Sequence, residues 1–177
     1  MPEPRCALWA LRAGVLHCDL KTSNILLSDR HTPIITDFGL SQKTNGTVKL
    51  QRGTALYNAP EILMQQVCSK ATDVWAFGCI VVCIANKVSR PYTFTPLEQQ
   101  RFDAAKLHPN SPQQQWEFRS VYTGVERDVR NGERRPGPVS PSDPLSAIVD
   151  DCCRLSAAER PTFADLSDRI RVMACSC

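Results

Sequence analysis

Short apolar runs alternate with polar loops in the first part of the chain. Residues 8–12 are predicted to end a helix that stops at Gly14, and residues 15–17 form a short extended piece. Two further apolar runs follow at 25–27 and 33–35. Because a polar tetrapeptide separates these two runs, the pattern predicts a β-hairpin.

The predicted hairpin brings several polar side chains to one place. Asn24 opens the first strand and Asp37 follows the second. Since antiparallel pairing places the start of one strand beside the end of the other, these two side chains are expected at the same end of the hairpin. The preceding polar loop, which carries Asp19 and Lys21, is expected at that end as well.

A helix is predicted over residues 71–86, with Ser69 or Thr72 as its N-cap. Its large apolar residues occur on every face, a pattern typical of a helix buried in the middle of a domain. They are Val74, Trp75, Phe77, Ile80, Val81, Val82 and Ile84.

The rest of the chain is less uniform. Residues 41–53 are polar without a clear period. Residues 87–115 contain four prolines, which favours a surface loop with a little helix. Ser142 or Asp143 is a candidate cap for a helix with Pro144 at its first position, and Thr162 is predicted to cap a last helix. The apolar positions expected to face inward are Leu145, Ile148, Val149 and Cys152, then Phe163, Leu166, Ile170 and Met173. The fold class is therefore mostly α with a short β-hairpin, in one domain.

Composition excludes several classes of protein. The 177 residues are 42% hydrophobic, and the net charge of +3 is too small to indicate a nucleic-acid partner. The longest apolar stretch, residues 74–85, is shorter than a membrane span requires. The first residues also lack the order of a secretory signal, so we expect a cytoplasmic protein.

Nine cysteines are many for such a chain, and the number is odd. Without a secretory signal they are interpreted as reduced thiols packed in the core, in preference to a zinc site, which would require paired spacings. Cys175 and Cys177 at the end of the chain are conceivable lipid acceptors. However, the prenylation pattern requires a cysteine at position 174, where the chain has alanine.

Five short motifs occur in a fixed order. His17-Cys18-Asp19-Leu20-Lys21-Thr22-Ser23-Asn24 has the pattern H-x-D-L-K-x-x-N, and Asp37-Phe38-Gly39 follows. Then come Ala59-Pro60-Glu61, the run Asp73-Val74-Trp75-Ala76-Phe77-Gly78 and Arg160-Pro161-Thr162-Phe163. Together they resemble the catalytic loop, the D-F-G and A-P-E signatures, the central helix and a late segment of eukaryotic protein kinases.

This resemblance implies transfer of a phosphoryl group from ATP to a protein hydroxyl. Asp19 would orient the substrate hydroxyl, and Lys21 would meet the γ-phosphate. Asn24 and Asp37 would bind Mg²⁺ through the hard oxygen ligands that this ion prefers. Thr54 resembles the threonine that hydrogen-bonds the catalytic aspartate and lysine in serine/threonine kinases, which favours that specificity over tyrosine.

The resemblance also implies supporting roles. Glu61 would form a buried ion pair with Arg160, and Asp73 would bond the backbone of the catalytic loop. Leu26 would lie under the adenine, with Ile80 and Ile84 beneath it, and these two are expected to be core residues as well. His17 and Phe38 would form half of the regulatory stack.

Two departures from the family pattern stand out. Cys18 replaces the arginine that binds an activation-loop phosphate, so the chain resembles the kinases called non-RD. Within the family, the segment 131–136 and Asp151-Cys152-Cys153 resemble the tyrosine-kinase-like group.

The second departure is the missing N-terminal lobe. Only sixteen residues precede His17, and they contain no Gly-rich loop and no strand lysine. The chain is thus expected to be a C-terminal lobe, a partial kinase domain over 1–177 without the N-terminal lobe, and inactive on its own.

Two hypotheses remain open from the sequence. In the first, the chain is the catalytic lobe of an ATP-dependent serine/threonine kinase. In the second, it is a non-catalytic kinase-like lobe that binds a full-length kinase or a scaffold protein. The intact set of catalytic and metal-binding residues favours the first hypothesis, and the missing nucleotide grip favours the second.

Overall fold

The structure is a computed structural model that describes residues 15–43, 46–49, 53–107 and 111–175. The predicted helix end at 8–12 lies outside the described residues. Within the described ranges, no helix combines the length and the apolar character that a membrane span requires.

Six short strands form three antiparallel pairs among the described residues. They are β1 Val15–Leu16, β2 Ile25–Leu27, β3 Pro33–Ile35, β4 Gln42–Lys43, β5 Val48–Lys49 and β6 Val67–Cys68. The predicted hairpin is confirmed as β2 and β3, with Ile25 opposite Ile35. Strand β1 pairs with β4, and β5 pairs with β6.

Helices make up most of the remaining described chain. They are α1 Pro60–Gln65, α2 Lys70–Ala85, α3 Pro96–Leu107, α4 Pro112–Arg130, α5 Ser146–Cys152 and α6 Phe163–Cys175. Four single-turn 3₁₀ segments accompany them: Thr22–Asn24, Phe38–Leu40, Ala55–Tyr57 and Ala157–Glu159. The expectation of a mostly helical chain with a short β-hairpin agrees with this arrangement.

Helix α2 forms the centre of the core, as its apolar sequence predicts. Ser69 is its N-cap, and the backbone N–H of Ser69 donates to Thr72 Oγ1. Eleven of its sixteen residues are buried. At Gly78 the helix meets α5 so closely that an added Cβ would lie 2.6 Å from Cys153 Sγ, so only glycine fits there.

One end of this helix differs from the expectation. Ile84 is 62% exposed, so its assignment to the core is wrong, whereas Ile80 is buried at 3% exposure. Ile84 lies in the last turn of α2, where the chain emerges from the core and turns at Asn86. Apolar character on every face therefore does not ensure burial at the end of a helix.

The segment 87–115 was predicted as a surface loop with a little helix, and it contains more helix than predicted. It contains all of α3 and the start of α4, because Thr95 and Glu98 form a reciprocal capping pair and Pro96 occupies the first helical position. The two helices pack through an aromatic cluster around the buried Phe102. Its rings are Phe94, Phe102, Phe118 and Tyr122.

The predictions for the last two helices agree better. Asp143 Oδ1 accepts from the N–H of Leu145, and α5 begins one residue later, slightly beyond the predicted start. Thr162 and Asp165 cap α6 reciprocally. Their inward stripes are buried or packed against the core, at Ile148, Val149, Cys152, Phe163 and Leu166, with Leu145, Ile170 and Met173 partly buried.

The polar stretch 41–53 contains two strands that the sequence did not predict. Strand β4 pairs with β1, and β5 pairs with β6, so both partners are distant in sequence. These pairings attach the segment after the hairpin to β1, which directly precedes the loop 17–24, and to the strand before α2.

Candidate active site

The loop after β1 is held by a buried carboxylate from the central helix. Asp73 Oδ2 accepts from the backbone N–H of His17 at 2.7 Å, and Oδ1 accepts from that of Cys18 at 2.9 Å. Burial raises the pKa of Asp73, while the two amide hydrogen bonds act in the opposite direction. The predicted role of Asp73 as the anchor of this loop agrees with these contacts.

His17 connects the loop to the segment after the hairpin. Its Nδ1 accepts from the N–H of Asp19 at 3.3 Å, so Nε2 is the nitrogen that donates to the carbonyl oxygen of Thr36 at 3.0 Å. Its ring lies 4.9 Å from that of Phe38, centroid to centroid. The predicted contact between His17 and Phe38 is thus present, with His17 fully buried and Phe38 43% exposed.

Asp19, Lys21 and Thr54 form a closed triangle of hydrogen bonds. Asp19 Oδ2 accepts from Lys21 Nζ at 2.7 Å, and Oδ1 accepts from Thr54 Oγ1 at 2.7 Å and from the Thr54 N–H at 2.9 Å. Lys21 Nζ also donates to Thr54 Oγ1 at 2.9 Å. Residues 35 positions apart in sequence are therefore fixed around one carboxylate.

The triangle determines the charge state of Asp19. Burial by itself would raise the pKa of this carboxyl group. The hydrogen bonds from Lys21 and Thr54 outweigh that effect, and the pKa lies below its usual value. Asp19 is therefore a carboxylate at neutral pH, ready to accept a hydrogen bond from a hydroxyl group.

Asn24 and Asp37 lie at the same end of the hairpin, as predicted. The carbonyl oxygen of Asn24 accepts from the N–H of Thr36, the residue before Asp37. The buried Asn24 side chain donates through Nδ2 to the carbonyl oxygen of Asp19 at 2.9 Å, which leaves Oδ1 as its acceptor atom. Asp37 is exposed and adopts a left-handed backbone with φ of 59°.

The donor set suits a hard divalent cation. An amide oxygen and a carboxylate are ligands that Mg²⁺ prefers, and Mg²⁺ commonly takes one or two protein groups together with phosphate oxygens. Among the described residues there is no cluster of three or more His, Cys, Asp or Glu side chains able to hold a metal alone. The pair Asn24 and Asp37 therefore fits an ion shared with a phosphate ligand better than an ion held by protein groups only.

Leu26 is placed on the outer face of the hairpin. Strand residues alternate between faces, so Ile25 packs against the core while Leu26 is 55% exposed. Ile80 instead lines an apolar cavity of about 330 Å³ together with Ile25, Ile35 and Phe77. Leu26 and Ile84 are both accessible side chains, and the buried Ile80 belongs to the core.

The predicted ion pair of Glu61 and Arg160 is present. Arg160 Nη1 and Nη2 donate to the two carboxylate oxygens of Glu61 at 2.6 and 2.9 Å. The Arg160 side chain has no exposed surface, and its remaining N–H groups donate to backbone carbonyl oxygens at 154, 155 and 71. This pair joins the first turn of α1 to the segment before α6.

Sequence reasoning missed two residues that support the site. The Tyr57 hydroxyl lies 3.0 Å from Thr22 Oγ1, which ties the segment after Thr54 to the loop that carries Asp19 and Lys21. Burial raises the pKa of Tyr57 to about 12, so this phenol stays neutral. Thr36 was also missed. Its carbonyl oxygen accepts from His17 and its hydroxyl donates to the carbonyl oxygen of Asn24, and its position directly before Asp37 could have marked it as part of the site.

The motifs, their order and this geometry define a protein kinase fold, and comparison with known proteins agrees. The sequence profile of the protein kinase domain matches residues 8–169. The chain therefore belongs to the protein kinase family.

Relatives of both substrate types are found. The chain is 30% identical over 166 residues to the tyrosine-protein kinase receptor torso of Bombyx mori, a match that covers 88% of this chain and 17% of the receptor. It is 46% identical over 80 residues to serine/threonine-protein kinase PKH2 of Candida albicans; this match covers 38% of this chain and 8% of that protein. It is 43% identical over 75 residues to mitogen-activated protein kinase kinase kinase 20 of Arabidopsis thaliana; this match covers 39% of this chain and 22% of that kinase. The chain thus spans less than a quarter of the length of each of these relatives.

Proposed function

We propose that this chain carries the catalytic residues of an ATP-dependent protein serine/threonine kinase, which transfers a phosphoryl group to a protein hydroxyl. The observation that carries the proposal is the hydrogen-bond triangle of Asp19, Lys21 and Thr54. Core packing alone gives no reason to gather a carboxylate, an ammonium group and a hydroxyl at one partly exposed point.

Asp19 is proposed as the residue that orients the substrate. Its side chain is 10% exposed, and its ionised form is stabilised by Lys21 and Thr54. A carboxylate held in this way accepts a hydrogen bond from an incoming hydroxyl and fixes the direction of the oxygen lone pair. Because phosphoryl transfer depends mainly on positioning and charge stabilisation, this is the contribution that the reaction requires of the residue.

Lys21, Asn24 and Asp37 are proposed to hold the phosphate end of Mg-ATP. Lys21 Nζ would neutralise charge at the γ-phosphate, and Asn24 Oδ1 with the Asp37 carboxylate would bind Mg²⁺. When bound, Mg-ATP supplies the phosphoryl group and an ion that offsets negative charge on its oxygens. Leu26, exposed on the outer face of the hairpin, is proposed to contact the adenine.

Serine/threonine specificity rests on Lys21 and Thr54. Both side chains donate hydrogen bonds to Asp19, and Lys21 also donates to Thr54. This arrangement is implied by the resemblance to serine/threonine kinases. The similarity to the torso receptor favours tyrosine as the alternative substrate, because it extends over 88% of this chain. Peptides identical except for a serine, threonine or tyrosine acceptor decide between them.

The finer assignment is a C-terminal lobe of the tyrosine-kinase-like group, non-RD at Cys18. Among the described residues six helices follow one short hairpin, which is the order of elements expected for that lobe. No Gly-rich loop or strand lysine occurs in the 177 residues, so we infer that this chain alone transfers little phosphate. Cysteines without disulfide partners among the described residues support a cytoplasmic location as part of the proposal.

The alternative function is docking of a full-length kinase or a scaffold protein. Asp37→Ala in the longest natural polypeptide that contains this chain separates the two functions. Phosphotransfer should be lost with the fold intact if the protein is an enzyme, whereas binding of a partner should survive the change. If the Asp37→Ala variant retained both phosphotransfer and binding, Asp37 would not belong to the site and the proposed metal ligands would be overturned.

A further inference from the structure

Two thiols meet directly beside the proposed catalytic residue. Cys68 Sγ donates to Cys18 Sγ across 2.8 Å, although the two cysteines are 50 positions apart. Both are buried, at 5% exposure for Cys18 and none for Cys68. Leu16 and Val48 complete the apolar cluster around them.

The surrounding backbone holds the two sulfur atoms in place. Cys18 has a left-handed backbone with φ of 67°, and its N–H donates to Asp73. Cys68 lies in β6, which pairs with β5 and directly precedes the cap of α2. A disulfide bond of about 2.05 Å requires the sulfur atoms to approach by less than about 1 Å.

We propose that Cys18 and Cys68 form a reversible disulfide when the protein meets a hydroperoxide. This modification site does not depend on phosphotransfer. A bond there would join the residue before Asp19 to β6, the strand that pairs with β5. Oxidation would therefore restrict the loop at the point where Asp19 is positioned.

The chemistry balances with hydrogen peroxide as the oxidant. The Cys18 thiolate attacks one peroxide oxygen, the O–O bond breaks, and hydroxide leaves to take up a proton as water. The resulting sulfenic acid is attacked by Cys68 sulfur, the S–S bond forms, and a second water leaves. Two thiols and one peroxide thus give one disulfide and two waters.

The direction of the thiol hydrogen bond assigns the two roles. Because Cys68 Sγ is the donor in the contact with Cys18 Sγ, Cys18 is assigned the first attack and Cys68 the second. That hydrogen bond, together with burial, raises the pKa of Cys68 and suits it to the second step as a neutral thiol that loses its proton late. Since both sulfur atoms are buried, the reaction follows local opening of the loop.

Peptide mapping tests the proposal on the unmodified 177-residue chain. After treatment with hydrogen peroxide, alkylation in denaturant and digestion with trypsin without reduction, the peptides 13–21 and 53–70 should be found joined. Each contains one cysteine, Cys18 or Cys68, so the joined mass identifies the bond. Dithiothreitol should release both peptides. Recovery of the two peptides separately, each alkylated, or joined to other cysteines, would overturn the proposal.

Thermal unfolding provides a second readout with matched variants. Closing a loop of this length should raise the melting temperature of the oxidised chain by roughly 8–16 °C, reversed by dithiothreitol. The rise should vanish in Cys18→Ser and in Cys68→Ser. It should persist in Cys83→Ser, which removes a buried thiol 3.9 Å from a tyrosine hydroxyl. A rise that persists in Cys68→Ser would contradict the proposed Cys18–Cys68 bond. Should a variant fail to fold, the peptide mapping of the unmodified chain is the deciding test.

Discussion

Replacing Glu61 by glutamine removes the counter-ion of a guanidinium group that has no exposed surface. Arg160 donates to both Glu61 oxygens, at 2.6 and 2.9 Å, and its other N–H groups are bonded to backbone carbonyl oxygens. Glutamine retains the shape and one acceptor oxygen but leaves the cation without a partner charge. The variant therefore measures the loss of the charge pair together with one lost hydrogen bond, with little change in packing.

The magnitude follows from the burial of the two partners. Breaking a buried ion pair from one side costs about 3–5 kcal/mol, and Glu61 is 15% exposed, which favours the lower end, about 3 kcal/mol. For a domain of this length that cost lowers the melting temperature by roughly 6–12 °C. Urea and thermal unfolding of the 177-residue chain, followed by circular dichroism, measure both quantities.

A matched control is available at a neighbouring ion pair. Arg154 binds Asp151 at 2.8 Å, but its side chain is 47% exposed, so Arg154→Ala should change the unfolding free energy only slightly. The double variant Glu61→Gln with Arg160→Met should be less destabilised than the sum of the single changes, because the two residues interact directly. If Glu61→Gln were no more destabilising than Arg154→Ala, the argument from the buried charge would be refuted.

Two further predictions concern the triangle around Asp19. Thr54→Val removes one hydroxyl that bonds both Asp19 and Lys21, so phosphotransfer by the natural protein should fall by about 10–100-fold. Thr54→Ser keeps the hydroxyl and should retain most of the rate. Equal rates for the valine and serine variants would contradict this role. The low pKa of Asp19 means that folding stabilises its ionised form, so this contribution is present above the unfolded-state pKa of about 3.9 and is lost as the pH falls through the lower folded-state value. Between neutral and acid pH, the unfolding free energy should therefore fall less steeply in Asp19→Asn than in the unmodified chain. Identical slopes against pH would show that the carboxylate is not stabilised by its partners.

Local signals predicted much of the fold. The β2–β3 hairpin has the predicted bounds, and Ser69, one of the two predicted caps, is the N-cap of α2. Helix α6 begins after Thr162, which caps it together with Asp165. In each of these cases the information lies within a few residues of the element, as a polar turn between apolar runs or as a capping side chain.

The failures have physical causes. Pro96 and Pro112 were read as signs of a loop, but each occupies the first position of a helix, where its missing N–H costs nothing. Strands β4 and β5 have two residues each and exist only through distant partners, so no local pattern marks them. The contact of Cys18 with Cys68 is of the same kind, because it depends on the pairing that places β6 beside the catalytic loop.

For the candidate site, the sequence indicated the residues but not how they are connected. The motif order indicated Asp19, Lys21 and Asn24, and the hairpin placed Asp37 beside Asn24. The link from Thr54 to Asp19 spans 35 positions and came only from the resemblance to the kinase family. The support from Tyr57 depends on tertiary packing that a single sequence does not display.

Phosphotransfer by Asp19→Asn is the measurement that tests the central claim most directly. The longest natural polypeptide that contains this chain is assayed with Mg-ATP and serine or threonine peptides, beside an Asp103→Asn control on the exposed face of α3. We predict that Asp19→Asn lowers the rate by about 10²–10⁴-fold while the control retains the rate of the unmodified protein. An Asp19→Asn variant with the unmodified rate, or an unmodified protein that transfers no phosphate, would contradict the account.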